Sequence, residues 1–423
     1  MSDVLMVLAE ARKAGKPKGL TSVCSAHPKV LVAAFRHGAS KSKSVLVEAT
    51  CNQVNQDGGY TGLTPAAFRA RAEALAAENG LPAGRLILGG DHLGPNPWTK
   101  LSADAAMDKA RAMVAAYAAA GFRKIHLDAS MACADDGEAV PEAIIAARAA
   151  SLAGVAEAAA HANGLPAPVY IIGTEVPPPG GARERIDSLT PTSAAAAEST
   201  IAAHDAAFAK AGLRGAFERA IGIVVQPGVE FGIENVVTYD PAKARHLRQV
   251  LDRHKRLVFE AHSTDYQTRA ALQNLVRDGF ALLKVGPGLT FALREALYAL
   301  DGIDAILHRD RQGASLPDAM EAIMQAQPGY WRGHCHGDDA KQRIDRHFSY
   351  SDRIRYYWQT PAAEDAVGDM LARLRAAPIP ETLVSQYFPA QIEALRASGK
   401  AATPDALIEA AIFAVLDDYA AAE

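Results

Sequence analysis

From residue 20 to about residue 300, short β-rich apolar runs alternate with long Ala-rich stretches of helical composition. The runs are 20–24, 44–48, 85–88, 124–127, 169–172, 221–225, 256–259 and 281–285. The helical stretches between them include 103–120, 143–162, 192–211 and 241–254. Most runs are continuously apolar, the pattern of strands covered by helices on both faces of a parallel sheet. Eight strand–helix units over about 280 residues predict a closed α/β structure, a (β/α)8 TIM barrel, rather than an open sheet. A doubly wound sheet is the rival, but no strand is followed by the Gly-x-Gly-x-x-Gly turn of dinucleotide binding.

The expected division is a barrel with an N-terminal helix over 1–314 and a C-terminal helical extension over 315–423 packed on it. Met1 to Lys16 contains only a six-residue apolar run and carries Asp3 and Glu10. It reads as an amphipathic helix with Leu5, Leu8 and Ala9 on one face, not as a signal or transit peptide. Apolar residues make up 49% of the chain and charged residues 22%, ordinary for a soluble protein. No stretch is read as approaching the roughly 20 apolar residues of a membrane span. The net charge of −4 and the absence of a long basic stripe argue against a nucleic acid partner. Cys24, Cys51, Cys133 and Cys335 show no paired spacing, which predicts reduced thiols and a cytoplasmic location.

Active sites of such barrels lie at the carboxyl-terminal ends of the strands. That rim is predicted to carry Ser25 and His27, Glu48 with Asn52 and Gln53, Asp91 and His92, and Asp128 with Ser130. Glu175, Gln226 and Glu230, then Glu260, His262 and Asp265, and finally Lys284, complete it. The densest segment is Gly89-Gly90-Asp91-His92-Leu93-Gly94-Pro95, in which an apolar strand runs into an acid and an imidazole. Its glycines permit tight bending and close approach, while Asp-His suits a proton carrier beside a metal ligand.

His92 and His262 face one lumen in a barrel, and two imidazoles with a carboxylate or amide oxygen describe a divalent metal site, zinc or similar. Glu175 is the expected third ligand, stiffened by the following Pro177-Pro178-Pro179-Gly180-Gly181 turn, and Gln226 is the next choice. Asp91 is the expected proton carrier, with Asp128 or Glu175 as a second acid/base group. His126, flanked by apolar residues, reads as structural. Ser25, Glu48, Asn52, Gln53, Ser263, Asp265, Lys284 and Gly286 are candidate substrate contacts. Lys284 and the following glycines would suit a phosphate, but Asp265 would repel one and favours sugar hydroxyls there. In the extension, His334-Cys335-His336 is a weak metal motif, and Arg353 or Arg355 could reach a substrate phosphate.

Four motifs carry a resemblance: Cys24-Ser25-Ala26-His27-Pro28, the run from Glu48 to Gln56, the run from Gly89 to Pro95, and the run from Phe259 to Gln267. Together with Ser349 to Trp358 they resemble the Z-subunit family of tagatose-1,6-bisphosphate aldolase, also labelled tagatose-6-phosphate kinase. The resemblance covers nearly the whole chain and implies the barrel of class II zinc-dependent aldolases. In that group the Asp-His pair matches Asp91 as proton-transfer residue and His92 as zinc ligand, and His262 matches the ligand on the seventh strand. The chain departs from the pattern after the sixth strand, where Gln226-Pro227-Gly228 stands in place of a third zinc histidine. That departure weighs against aldolase activity and leaves metal binding open through Gln226, Glu230 or Glu175.

Two functions follow from the resemblance. One is a metal-dependent ketose 4-epimerase of tagatose/fructose type, using Zn²⁺, Mn²⁺ or Ni²⁺ on a small ketose or ketose phosphate. The other is a non-catalytic subunit that stabilises a class II aldolase catalytic subunit. A homo-oligomer fits either. A kinase is not expected, because the chain has no Gly-x-x-x-x-Gly-Lys-Ser/Thr loop and no kinase signature set.

Overall fold

A computed structural model describes residues 4–176, 186, 189–399 and 401–423. Its centre is a closed barrel of eight parallel strands: β1 (Leu20–Val23), β2 (Val45–Thr50), β3 (Leu86–Leu93), β4 (Lys124–Leu127), β5 (Val169–Ile172), β6 (Ala220–Val224), β7 (Val258–Ala261) and β8 (Phe280–Val285). Neighbours follow chain order, and β8 closes on β1 through Leu20↔Leu282 and Ser22↔Lys284. The expected barrel is therefore the observed one. β3 runs five residues beyond the expected end at Leu88, because Gly89, Gly90 and Asp91 still pair with Glu48, Ala49 and Thr50 of β2. The expected helix over 241–254 is instead two short ones, Pro241–Ala244 and Arg248–Arg253.

Local chemistry starts the barrel helices where the loops end. Ser102, Ser193 and Thr268 each accept a hydrogen bond from the amide three residues on, opening helices Ala103–Ala119, Ala194–Lys210 and Arg269–Arg277. Helix Glu142–Ala162 is, contrary to the sequence reading, long and apolar enough to span a membrane by length and composition. Here it packs between Ala103–Ala119 and Ala194–Lys210 as an outer barrel helix, burying Ile145, Ala149, Leu152 and Ala156.

The amino-terminal end of the barrel is plugged. Leu5, Leu8 and Ala9 of helix Val4–Lys13 pack with Leu20, Leu46, Val169, Ile221 and Leu282 from the beginnings of the strands. The C-terminal extension packs on the outer helices of the barrel. Helices Pro361–Arg375, Glu381–Tyr387 and Pro404–Ala420 pack on Pro287–Leu307, and Pro404–Ala420 also reaches Pro28–Ser40. The Tyr419 hydroxyl donates to the Thr264 carbonyl beyond β7 at 2.8 Å. A short 3₁₀ turn, Arg353–Tyr356, delivers side chains to the barrel mouth.

Candidate active site

Pairing slips where β3 reaches the rim. Gly90 pairs with Ile125 and Leu93 with Leu127, so Asp91 and His92 together oppose His126. Two residues against one make a β-bulge, and His92 takes up the extra length at φ 50°. A regular strand sends neighbouring side chains to opposite faces. The bulge instead brings both Asp91 and His92 to one cavity. A non-glycine residue held in the left-handed region costs about 1–3 kcal/mol, a strain that clusters at functional sites. The flanking glycines answer close approaches: a Cβ on Gly94 would sit 1.6 Å from the Asp128 carbonyl oxygen, and one on Gly89 would sit 2.8 Å from Glu48 Cγ.

Beneath the cavity lies a buried ionic layer. Glu48 receives Lys124 Nζ at 2.7 Å, Lys284 Nζ at 2.7 Å and the Ser22 hydroxyl. Glu260 meets Lys124 at 2.6 Å and Lys284 at 3.2 Å, and Lys284 reaches Asp91 at 2.5 Å. Burial pushes the Glu260 carboxyl up, but Lys124 and Lys284 outweigh it and hold it well below the usual carboxylate range. Burial likewise raises Asp91, while His92 and Lys284 bring it well below that range, so it is ionised. Lys284, disfavoured by burial, is kept protonated by Asp91, Glu260 and Glu48.

Above this layer three imidazoles meet. The ring centroids of His92, His126 and His262 lie 4.8–5.2 Å apart. His92 Nδ1 bonds Asp128 at 2.8 Å, and Asp128 is fixed in turn by the Ser130 hydroxyl at 2.7 Å. Burial opposes a charged His92 ring, whereas Asp91 and Asp128 raise its pKa. Burial pushes His262 down to about 3, so that ring is neutral despite Glu260 at 3.0 Å.

One donor atom each from Asp91, His126, Glu260 and His262 lies within 4.8 Å of the others. His126 Nδ1 receives the His92 amide at 3.2 Å, and its buried Nε2 has no hydrogen-bond partner. Two imidazoles and two carboxylates, with one ring nitrogen left bare, suit a divalent cation. The Asp128 bond also orients His92, whose Nε2 lies 3.7 Å from Asp91 Oδ2; His92, the ligand expected from the sequence, stands beside the four residues whose donor atoms converge and is not one of them.

The expected residues divide into four groups. Asn52, Gln53, Ser263, Asp265, Lys284 and Gly286 line the cavity with Asp91, His92 and His262. Ser25 lines a smaller adjoining cavity. Glu48 and Asp128 lie fully buried outside the cavity wall, Glu48 in the ionic layer and Asp128 behind His92. The two residues expected as third ligand are not brought to the cluster. Glu175 is exposed and accepts from the Thr192 hydroxyl at 2.6 Å. Gln226 turns its side-chain oxygen onto the Gly228 and Val229 amides at 2.8 and 3.0 Å, capping its own loop. The proline turn over 177–181 lies outside the described residues.

The third imidazole comes from His126, which the sequence reading set aside, and Glu260 supplies a carboxylate that reading placed only on the rim. A signal for both was present: Lys124-x-His126-x-Asp128 and Glu260-x-His262 are polar alternations inside apolar strands, so each set shares one face. Among the described residues, His334, Cys335 and His336 form no such cluster, and all four cysteines are free thiols.

The model of a family described as "D-tagatose-1,6-bisphosphate aldolase subunit GatZ/KbaZ-like" matches residues 5–423. A protein of Agrobacterium fabrum (strain C58 / ATCC 33970) named D-tagatose 6-phosphate 4-epimerase is 56% identical over 422 residues, covering 100% of this chain and 99% of that one. A crystal structure from Sinorhizobium meliloti 1021, named as a "probable tagatose 6 phosphate kinase", superposes with a TM-score of 0.90 at 52% identity. The match covers 96% of this chain and 100% of the other.

Proposed function

Because the chain belongs to the GatZ/KbaZ-like family of D-tagatose-1,6-bisphosphate aldolase subunits, we propose that its rim chemistry serves C4 epimerisation of a ketose 6-phosphate. The observation that carries this reading is the meeting of an ionised Asp91 with three imidazoles, one bearing an unpartnered Nε2, at the open end of the barrel. The name of the Agrobacterium relative, 56% identical across the chain, supports the substrate class and the reaction.

His126 and His262, with Glu260 and His92 beside them, would hold the divalent ion; zinc is our first choice, with manganese or nickel as alternatives. Such an ion supplies Lewis acidity toward the ketose C2 carbonyl and C3 hydroxyl. Asp91 takes the proton of the C4 hydroxyl, the C3–C4 bond opens, the aldehyde fragment turns its other face, and the bond re-forms with C4 inverted. Atoms and charge balance, because the product is an isomer and the proton returns to the C4 oxygen. His92 and Lys284, the latter 2.5 Å from Asp91, keep that carboxylate ionised. Asp128 positions His92 and does not itself reach the cavity wall. Glu175, bonded to Thr192, has no part in this scheme.

A cytoplasmic enzyme acting as a homo-oligomer, with a barrel over 1–314 and an extension over 315–423, completes the proposal. The word kinase in the neighbour's name has no counterpart in a phosphate-cradling Gly-x-x-x-x-Gly-Lys-Ser/Thr loop of this chain. The family's own description favours a second reading, a subunit that lends only its surface to an aldolase. Following C4 inversion by ¹³C NMR separates the two. The test uses fructose 6-phosphate and tagatose 6-phosphate with chelated protein, before and after Zn²⁺, Mn²⁺ or Ni²⁺ is restored. Metal-dependent interconversion, lost in Asp91→Asn, supports the enzyme. No turnover with any ion, alongside activation of an added aldolase, supports the subunit.

A further inference from the structure

The glycine turn after β8, whose amides would suit a phosphate, is already occupied by the protein itself. The Gly286 and Gly288 amides, at the start of helix Pro287–Leu307, both donate to Asp265 Oδ1 at 2.9 and 2.7 Å. The cavity floor is no better for an anion, since Asp91, Glu48 and Glu260 already outnumber Lys124 and Lys284 there. A phosphorylated ketose with its reacting carbons at the imidazoles must therefore direct its phosphate away from both.

One cation on the cavity wall is not neutralised in this way. Arg355, from the 3₁₀ turn Arg353–Tyr356 of the extension, lines both the main cavity and the adjoining small one that holds Ser25. Among the described residues, no carboxylate lies within ion-pair distance of its guanidinium. The group is nevertheless fixed: Nη1 donates to the Ser351 carbonyl and, at 3.1 Å, to that of Asp352, and Nη2 donates to the Tyr356 hydroxyl at 2.7 Å. The plane also lies 4.3 Å from the Tyr356 ring centroid. Asp352 and Asp265 act on the Arg355 charge without pairing with it: Asp352 Oδ2 accepts the Thr290 hydroxyl at 2.5 Å, and Asp265 Oδ1 is taken by the two glycine amides. A guanidinium has five N–H donors in a rigid fork matched to phosphate oxygens. The bonds it makes hold the fork still and leave donors for a ligand.

Resting on the epimerase reading above, we propose that Arg355 is the docking residue for the substrate's C6 phosphate. Its site lies where the two cavities join, with Tyr60 lining both and Ser25 lining the smaller one. The extension is thereby a specificity element reaching into the barrel rather than only a packing layer. The reacting end of the sugar is handled by residues of the barrel, and the anionic end by a residue more than 60 positions beyond its last strand.

The test compares wild type with Arg355→Met and Arg355→Lys on a ketose 6-phosphate and on the same ketose without phosphate. Loss of charge-assisted hydrogen bonds to phosphate lowers the ratio of kcat/KM for the two substrates roughly 10- to 100-fold in Arg355→Met, and less in Arg355→Lys. Titration calorimetry with inorganic phosphate gives a second readout that needs no turnover: the wild type binds it, and Arg355→Met binds it at least about tenfold more weakly. An unchanged substrate ratio, or phosphate binding equal in wild type and Arg355→Met, overturns the assignment. If the wild type epimerises neither ketose, the epimerase reading falls, and the calorimetric comparison still decides whether Arg355 binds phosphate.

Discussion

Lys124→Met isolates the strength of the buried ionic layer beneath the cavity. Lys124 is wholly buried and bridges Glu48 at 2.7 Å and Glu260 at 2.6 Å. At an effective dielectric of about 20, each contact is worth roughly 6 kcal/mol before desolvation is subtracted. Desolvation of the ions takes back most of that. Removing one partner leaves the others buried, and such truncations cost about 3–5 kcal/mol. The remaining ammonium, Lys284, would then face Glu48, Glu260 and Asp91 alone.

Sign and pH follow from Glu260. Its folded pKa is held well below the ordinary value. That stability is present above the unfolded pKa of about 4.3 and is lost as pH falls through the folded value. In Lys124→Met the carboxylates regain protons more readily, so the penalty is full near pH 8 and shrinks toward pH 5. Urea unfolding in the presence of chelator measures it at both pH values. Lys124→Met/Glu260→Gln is predicted to recover part of the loss, because the orphaned charge goes with its partner. A loss below about 1 kcal/mol at pH 8, or one that does not shrink at pH 5, would refute the reasoning.

Two further outcomes are expected. Asp128→Asn removes the carboxylate that fixes His92 Nδ1; metal affinity measured by competition with a chromophoric chelator drops roughly 10- to 100-fold, and unchanged affinity counts against the orienting role. Glu230 is buried and its pKa is pushed up to about 7, chiefly by that burial. Its folded form therefore holds a proton that the unfolded chain releases from about pH 4.3, and stability falls as pH rises through that window. Glu230→Gln abolishes this slope, gaining on the order of 2–3 kcal/mol over wild type between pH 4.5 and 8 in denaturation curves; parallel curves for the two proteins contradict it.

The barrel was legible because continuous apolar runs, each followed by an Ala-rich stretch, leave few other ways to bury both faces of a sheet. The strand-end polar residues were legible for the same reason: Asp91, His92, His262, Asp265 and Lys284 line one cavity, as a closed barrel requires. What period-2 reasoning could not supply was the bulge that brings Asp91 and His92 to one side, since it arises from unequal pairing with β4. The immediate neighbours of His126 are apolar, which points to a structural role. Its face, shared with Lys124 and Asp128, is polar. Glu175 and Gln226 follow the fifth and sixth strands, where position along the chain predicts a ligand. Both are instead tied into one loop clasp, in which the Thr192 hydroxyl donates to Glu175 and accepts the Gln226 amide at 2.9 Å. No local pattern reveals such a contact between distant segments. The same holds for Arg355, which reaches the site only through the packing of the extension.

The most direct test of the central claim is anomalous diffraction at the zinc edge from crystals of reconstituted, turnover-competent protein. The claim requires a peak among His126, His262, Glu260 and His92, at about 2.0–2.1 Å from His126 Nε2, the usual zinc–nitrogen distance. A peak held elsewhere, or no peak in protein that still inverts C4, would contradict it.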